Sequence, residues 1–218
     1  MSALGPRDPS LACLQSRKNG RLQLAGFGLV AVPEEALDPF SHLRGNELSQ
    51  YVELCTRANL EDNEIETLPA NIGGLGGALA QLQLRNNKIE TLPAALSDLP
   101  GLKTLSVENN RLSVIEEKLS LPHLTTLSIQ NNLLKFLPDD LFDGLSVCSK
   151  LTCADNQIAA LPTSLRRAKH LRVLDLSRNK LTTISGLEGA TSLESIFVSQ
   201  NLLEDLQGLE YLEHLTEL

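Results

Sequence analysis

Leu79-Ala80-Gln81-Leu82-Gln83-Leu84-Arg85-Asn86-Asn87-Lys88-Ile89-Glu90-Thr91-Leu92-Pro93 decides the fold. Leu82 and Leu84 alternate with Gln81, Gln83 and Arg85, so a short strand points leucines to one side and polar side chains to the other. Asn87 follows where the chain must leave the strand, and a buried carboxamide there can bond the backbone of its own and a neighbouring turn. Leu92-Pro93 closes the unit: Pro holds its φ near the helical value and biases Leu92 towards extended geometry. A single unit of this length cannot bury its own leucines, whereas stacked copies can.

The same frame recurs. Asn63, Asn87, Asn110, Asn132, Asn156, Asn179 and Asn201 occupy the Asn position, at steps of 24, 23, 22, 24, 23 and 22 residues. This pattern resembles the leucine-rich repeat, and the expected fold is an α/β solenoid: a leucine-rich-repeat horseshoe with a parallel concave sheet and short helical or 3-10 convex segments. Residues 1–20 read as an N-terminal tail and capping helix, opened by Asp8-Pro9-Ser10 and ended at Gly20. Residues 21–218 read as the solenoid, with eight repeats and a truncated ninth. The first repeat is degenerate, because Phe27 stands where Asn is expected, and it is followed by an insert near residues 36–50. Convex segments with shorter steps are expected to tighten into 3-10 turns towards the C-terminus. Leu215 and Leu218 match the first two leucines of the ninth repeat. The expectation is therefore a piece of a longer protein, or self-association through an uncapped C-terminal end.

Composition narrows the function classes. Hydrophobic residues make up 42% of the chain, carried by Leu and without Trp, as a core of one repeated aliphatic layer requires. Residues 1–20 hold no signal-like apolar run, no stretch is long enough for a membrane span, and no Asn lies in a glycosylation sequon. A cytoplasmic protein is expected, with the nucleus as a second compartment. Cys55, Cys148 and Cys153 fall at aliphatic positions of the frame and read as small buried hydrophobes; with Cys13 they form no disulfide framework. The net charge of −8 argues against nucleic acid as partner. Its distribution is polar along the chain. From Lys150 to Lys180 the basic residues Lys150, Arg166, Arg167, Lys169, Arg172, Arg178 and Lys180 face only Asp155 and Asp175, and beyond Lys180 every charge is acidic.

Two further resemblances bear on partners. Arg17-Lys18-Asn19-Gly20-Arg21-Leu22-Gln23-Leu24 with Val32-Pro33 is similar to the opening of cytosolic proteins of the leucine-rich-repeat-containing protein 40 kind, and the Leu-Pro repeats resemble the Ras-binding and Scribble-like group. Ile184-Ser185-Gly186-Leu187-Glu188, echoed by Leu206-Gln207-Gly208-Leu209-Glu210, is similar to the leucine-rich regulatory subunit of protein phosphatase 1. What these resemblances imply is an intracellular adaptor.

No motif for catalysis, metal or cofactor binding is present. His42, His123, His170 and His214 lack metal-ligand spacing, and Gly73-Gly74-Leu75-Gly76-Gly77 runs into a strand, so it reads as a tight turn and not as a phosphate cradle. The chain is not expected to be an enzyme, and no cofactor is expected. What remains is the concave face. One row of outward positions is Gln23, Asn59, Gln83, Ser106, Ser128, Thr152, Asp175 and Phe197; the row before it runs from Arg21 and Arg57 to Val173 and Ser195. Charge concentrates at Arg57, Glu61, Arg85 and Glu108, and at Asp175 and Arg178. Val173 and Phe197 stand out as apolar in a polar face and are expected to be exposed. These eight residues are the candidate partner-binding set, for a non-catalytic scaffold or adaptor that docks a protein on its concave sheet. The alternatives are a regulatory subunit of a serine/threonine phosphatase and a recognition module of a larger multidomain enzyme. Of the paired asparagines, Asn132 is expected to be structural, while Asn131 is expected to point to solvent and to tolerate replacement.

Overall fold

The computed structural model describes residues 20–37 and 55–217. The expected capping helix ahead of Gly20, the insert beyond Leu37, Cys13 and His42 lie outside the described residues.

Eight three-residue strands form one parallel sheet: β1 (Arg21–Gln23), β2 (Arg57–Asn59), β3 (Gln81–Gln83), β5 (Thr104–Ser106), β7 (Thr126–Ser128), β8 (Lys150–Thr152), β9 (Val173–Asp175) and β10 (Ser195–Phe197), side by side in chain order. Two two-residue strands, β4 (Thr91–Leu92) and β6 (Val114–Ile115), pair separately just before the chain turns onto the convex side. The main sheet is in strict repeat register. Leu82 pairs with Leu105, Leu105 with Leu127 and Leu127 with Leu151, so equivalent residues of successive repeats stack. A single bridge continues the series from Ser195 to Glu217.

The core is one continuous aliphatic column. Leu82, Leu84, Ile89, Leu92, Leu96 and Leu99 of a single repeat are all fully buried, each worth about 1.5–3 kcal/mol in burial. Most of that burial is against the repeats above and below.

The asparagine ladder closes the backbone where the strands end. Each Nδ2 donates to a carbonyl three residues back in its own repeat and to one in the preceding repeat; for Asn87 these are Leu84 O at 3.0 Å and Leu60 O at 2.9 Å. Each Oδ1 accepts a backbone amide of the preceding repeat, as Asn87 does from Ile65 at 3.0 Å. The pattern holds from Asn63 to Asn201. Asn63, Asn87, Asn132, Asn156 and Asn179 are buried, while Asn110 and Asn201 are partly exposed.

The convex side carries the expected short helical and 3-10 segments, though they do not sort by step length. 3-10 turns occupy Ile72–Leu75, Ala94–Asp98 and Thr163–Arg167 in 23- and 24-residue steps and Leu209–Tyr211 in the last repeat, and a one-turn α-helix occupies Leu141–Gly144. The 22-residue steps, Asn110 to Asn132 and Asn179 to Asn201, carry only turns on that side. Single hydrogen-bonded turns persist there, with the Leu124 amide donating to Leu121 O at 3.0 Å and the Ala190 amide to Leu187 O at 2.8 Å, and Leu209–Tyr211 forms a 3-10 turn between the bridged Ser195 and Glu217, so step length alone does not decide the convex segment.

Candidate functional site

The outward rows of the sheet are set by strand alternation. Because Leu22, Leu82, Leu105, Leu127, Leu151, Leu174 and Ile196 point inward, their strand neighbours point to the concave side. Register aligns Gln23, Asn59, Gln83, Ser106, Ser128, Thr152, Asp175 and Phe197 in one row, and Arg21, Arg57, Gln81, Thr104, Thr126, Lys150, Val173 and Ser195 in another. The middle of both rows is small and hydroxyl-bearing. Character is found at the two ends.

At the N-terminal end Arg57 and Arg85 are exposed and Glu61 and Glu108 half-buried. The amide of Asp62 donates to Arg85 O and that of Asn86 to Glu108 O, which carries the register two residues past the strands. Glu61, Arg85 and Glu108 are therefore neighbours. Partial burial raises the Glu61 carboxyl above its ordinary range; Asp62 and Glu108 raise it further, and Arg85 opposes them. The Ser106 hydroxyl donates to Glu108.

At the C-terminal end Val173 lies two residues before Asp175 on β9, on the same face, and Phe197 pairs directly with Asp175 from β10. Asp175 Oδ1 accepts the Ser177 amide at 3.0 Å. Val173 and Phe197 are half-buried, not exposed as the sequence pattern predicted, because the inner side of a curved parallel sheet packs each outward side chain against those on both adjacent strands. Arg178 is not part of this group. It sits in the left-handed region at φ 54° and turns its guanidinium to Asp155, with Nη1 3.4 Å from Oδ1.

Three features escaped the sequence pattern. Thr152, in register between Ser128 and Asp175, is only 9% exposed, and its Oγ1 has no hydrogen-bond partner; nothing in the sequence distinguishes it from the other hydroxyl residues of its row. The second feature is a ladder of side chains beside the buried one, exposed at Asp62, Asn86 and Asn131 and half-buried at Asn109. Asn86 Nδ2 donates to Asp62 Oδ1 at 2.7 Å, Asn109 Nδ2 to Asn86 Oδ1 at 2.7 Å, and Asn131 Nδ2 to Asn109 Oδ1 at 2.6 Å. Asp62, Asn86, Asn109 and Asn131 all have positive φ, a conformation Asn and Asp tolerate best among residues with a side chain. Asn131 is exposed as expected, but it is both bonded and conformationally specified. The third is a recess of about 310 Å³ where the chain enters its last strands, lined by His170, Arg172, Ser192, Glu194 and His214. Arg172 and Glu194 are paired there.

His123, His170 and His214 are exposed. No group of three or more His, Cys, Asp or Glu among the described residues is placed to hold a metal ion. Among the same residues, no helix is long and apolar enough to cross a membrane. Burial pushes the Cys148 thiol up to about 11 and raises that of Cys153 further, which removes both from thiolate chemistry.

A stacked solenoid with a polar, continuous inner sheet and two chemically distinct ends defines a protein–protein interaction module. The chain belongs to the leucine-rich repeat family: the pattern described as "Leucine rich repeat" matches residues 57–112, 100–158 and 122–181, and that described as "Leucine Rich repeats (2 copies)" matches 169–211. A leucine-rich-repeat protein of Leptospira interrogans superposes with a TM-score of 0.76 at 26% identity, over 96% of this chain and 55% of that one. A protein phosphatase 1 regulatory inhibitor subunit homologue of Arabidopsis thaliana is 28% identical over 121 residues, 53% of this chain and 37% of its own length. A leucine-rich repeat-containing G-protein coupled receptor 4 of Xenopus tropicalis is 32% identical over 66 residues, 30% of this chain and 7% of its length. The chain thus spans from under a tenth to about half of these relatives.

Proposed function

We propose that this chain is a non-catalytic scaffold or adaptor that docks a protein partner on the concave sheet, at the end built by Val173, Asp175 and Phe197. The observation that carries this reading is the register pairing of Phe197 with Asp175, which sets the one aromatic of the row beside a carboxylate. Aromatic side chains at the centre of an interface supply a disproportionate share of its energy. Arg57, Glu61, Arg85 and Glu108 form the competing site at the other end, and Arg178 belongs to the rim through Asp155. The test is a binding scan against a partner isolated by affinity purification and sequenced. Phe197→Ala should weaken binding by about 2 kcal/mol or more. Tolerance of that change, together with loss of binding on Arg57→Ala or Arg85→Ala, moves the site to the N-terminal end.

A second reading is favoured by one observation: the 28% identity with the phosphatase regulatory subunit homologue over 121 residues. On this reading the partner is the catalytic subunit of a serine/threonine phosphatase, in cytoplasm or nucleus. Co-purification with that subunit separates it from the general adaptor. The partial coverage of every relative named above also suits a recognition module within a larger protein.

A further inference from the structure

We infer that the Asp175–Phe197 site takes an arginine side chain from the partner. The inference rests on the concave-face reading above and specifies its chemistry. Asp175 makes no ion pair among the described residues: Arg178 is engaged by Asp155, and Lys150 on the adjacent strand is exposed and pairs with nothing. Its Oδ1 is used by the Ser177 amide, which leaves Oδ2 as an acceptor on the open face. Phe197 is its direct neighbour across β9 and β10, about 5 Å away at the backbone.

A side chain entering there meets an aromatic ring and a carboxylate on adjacent strands. Guanidinium satisfies both at once, because it is planar and stacks on an aromatic ring while its in-plane N–H groups fork towards a carboxylate. An ammonium is a point charge with a tightly held water shell and cannot lie flat on the ring. On the other flank of Asp175 is Thr152, whose hydroxyl is buried without a partner. Rotation about χ1 exchanges the Thr methyl and hydroxyl, which turns that oxygen towards the face as a second acceptor. The buried unpartnered hydroxyl, the unpaired carboxylate and the half-buried ring thus lie on three consecutive strands.

The chain itself supplies the control for the test. Asn59 occupies the same register as Asp175 and makes the same turn, its Oδ1 accepting the Glu61 amide at 2.9 Å. Asp175→Asn therefore keeps the local fold and removes the charge. A phage-displayed library of random dodecapeptides would be selected against the 218-residue chain, and the enriched peptides resynthesised with each Arg replaced by the neutral isostere citrulline. The expected result is peptides carrying Arg whose affinity falls at least tenfold on citrulline substitution, and equally on Asp175→Asn. Phe197→Leu, which keeps apolar bulk but removes the ring, should weaken them severalfold, as should Phe197→Ala. Failure to select any peptide whose binding falls with Asp175→Asn overturns the inference. Peptides blocked by Ser128→Trp but indifferent to Asp175→Asn overturn the arginine assignment alone and leave the concave reading standing; peptides indifferent to both overturn the two together.

Discussion

The Asn132 carboxamide closes the backbone of one repeat onto that of the next: its Oδ1 accepts the Leu112 amide at 2.8 Å while its Nδ2 donates to Val107 O and Ile129 O, each at 3.0 Å. None of these backbone groups lies where water can replace the side chain, since Asn132 is buried along with all three of them. Asn132→Ala should therefore cost about 1–3 kcal/mol. A urea midpoint equal to that of the parent chain would contradict this account of the ladder.

Asn131 behaves differently from what its exposure alone suggests. Its φ is 55°, and its Nδ2 holds Asn109 at 2.6 Å. Asn131→Ala places a Cβ in the left-handed region without the polar group that offsets it, at a cost of about 1 kcal/mol. Asn131→Gly removes the strain and loses only an exposed hydrogen bond. The expected order of denaturant midpoints is parent, then Gly, then Ala. Equal midpoints for Gly and Ala would show that the backbone conformation at this position contributes nothing.

The contrast between these two residues shows what was legible in the sequence. Asn132 was legible because its role recurs at a fixed step and each copy faces the same backbone groups. Strand rows were legible for the same reason, since register follows once equivalent leucines stack. The left-handed residue ahead of each ladder Asn was not, because Asp62, Asn86, Asn109, Asn131, Asp155, Arg178 and Gln200 share a backbone conformation and no single residue type. Which convex segments tighten into 3-10 turns was not legible, since Leu209–Tyr211 does so in a short step and residues 184–190 do not. Thr152 was illegible because its burial is set by residues on neighbouring strands.

Gly189 marks a close approach between repeats. A Cβ built there would overlap the carbonyl of Arg166 in the preceding repeat, and a Cβ on Gly144 would overlap that of Leu119 in the same way. The obstacle in each case is backbone, which cannot swing aside. Gly189→Ala should lower the thermal midpoint and increase hydrogen exchange around Arg166–Ala168, whereas Gly186→Ala, with open space around its Cβ but φ at 103°, should act through local strain and leave that exchange unchanged. Matching exchange patterns for the two variants would rule out the proposed contact.

The buried thiols set an alkaline limit. Cys148 is held near 11 and Cys153 is raised further, both by desolvation. In the unfolded chain these groups titrate near 8.5. Above that value the unfolded state binds fewer protons than the native one, so stability falls as pH rises from about 8.5 towards 11. The contribution is fully present at neutral pH. Cys148→Ala with Cys153→Ala should flatten this part of the profile, and both native thiols should resist alkylation at pH 8 until the chain is unfolded. Rapid alkylation of either thiol in the folded protein would contradict the burial on which the limit depends.

Thr152 ties stability to the proposed binding chemistry. A hydroxyl with no partner at 9% exposure is a net cost to the fold, and valine has the same shape without the polar atom. Thr152→Val should therefore stabilise the chain by about 1 kcal/mol, while also favouring the extended backbone of β8. Thr152→Ser keeps the hydroxyl but loses the methyl, and should destabilise. For a hydroxyl retained only by accident, the valine variant would gain stability and lose nothing. If it serves as an acceptor beside Asp175, the same variant should be more stable yet bind arginine peptides several times more weakly, a trade expected where a site keeps a group its own fold does not use. Parallel urea denaturation and peptide titration of the two variants separate these cases: greater stability with unchanged affinity removes Thr152 from the site, and unchanged stability shows that its hydroxyl is satisfied in the folded chain.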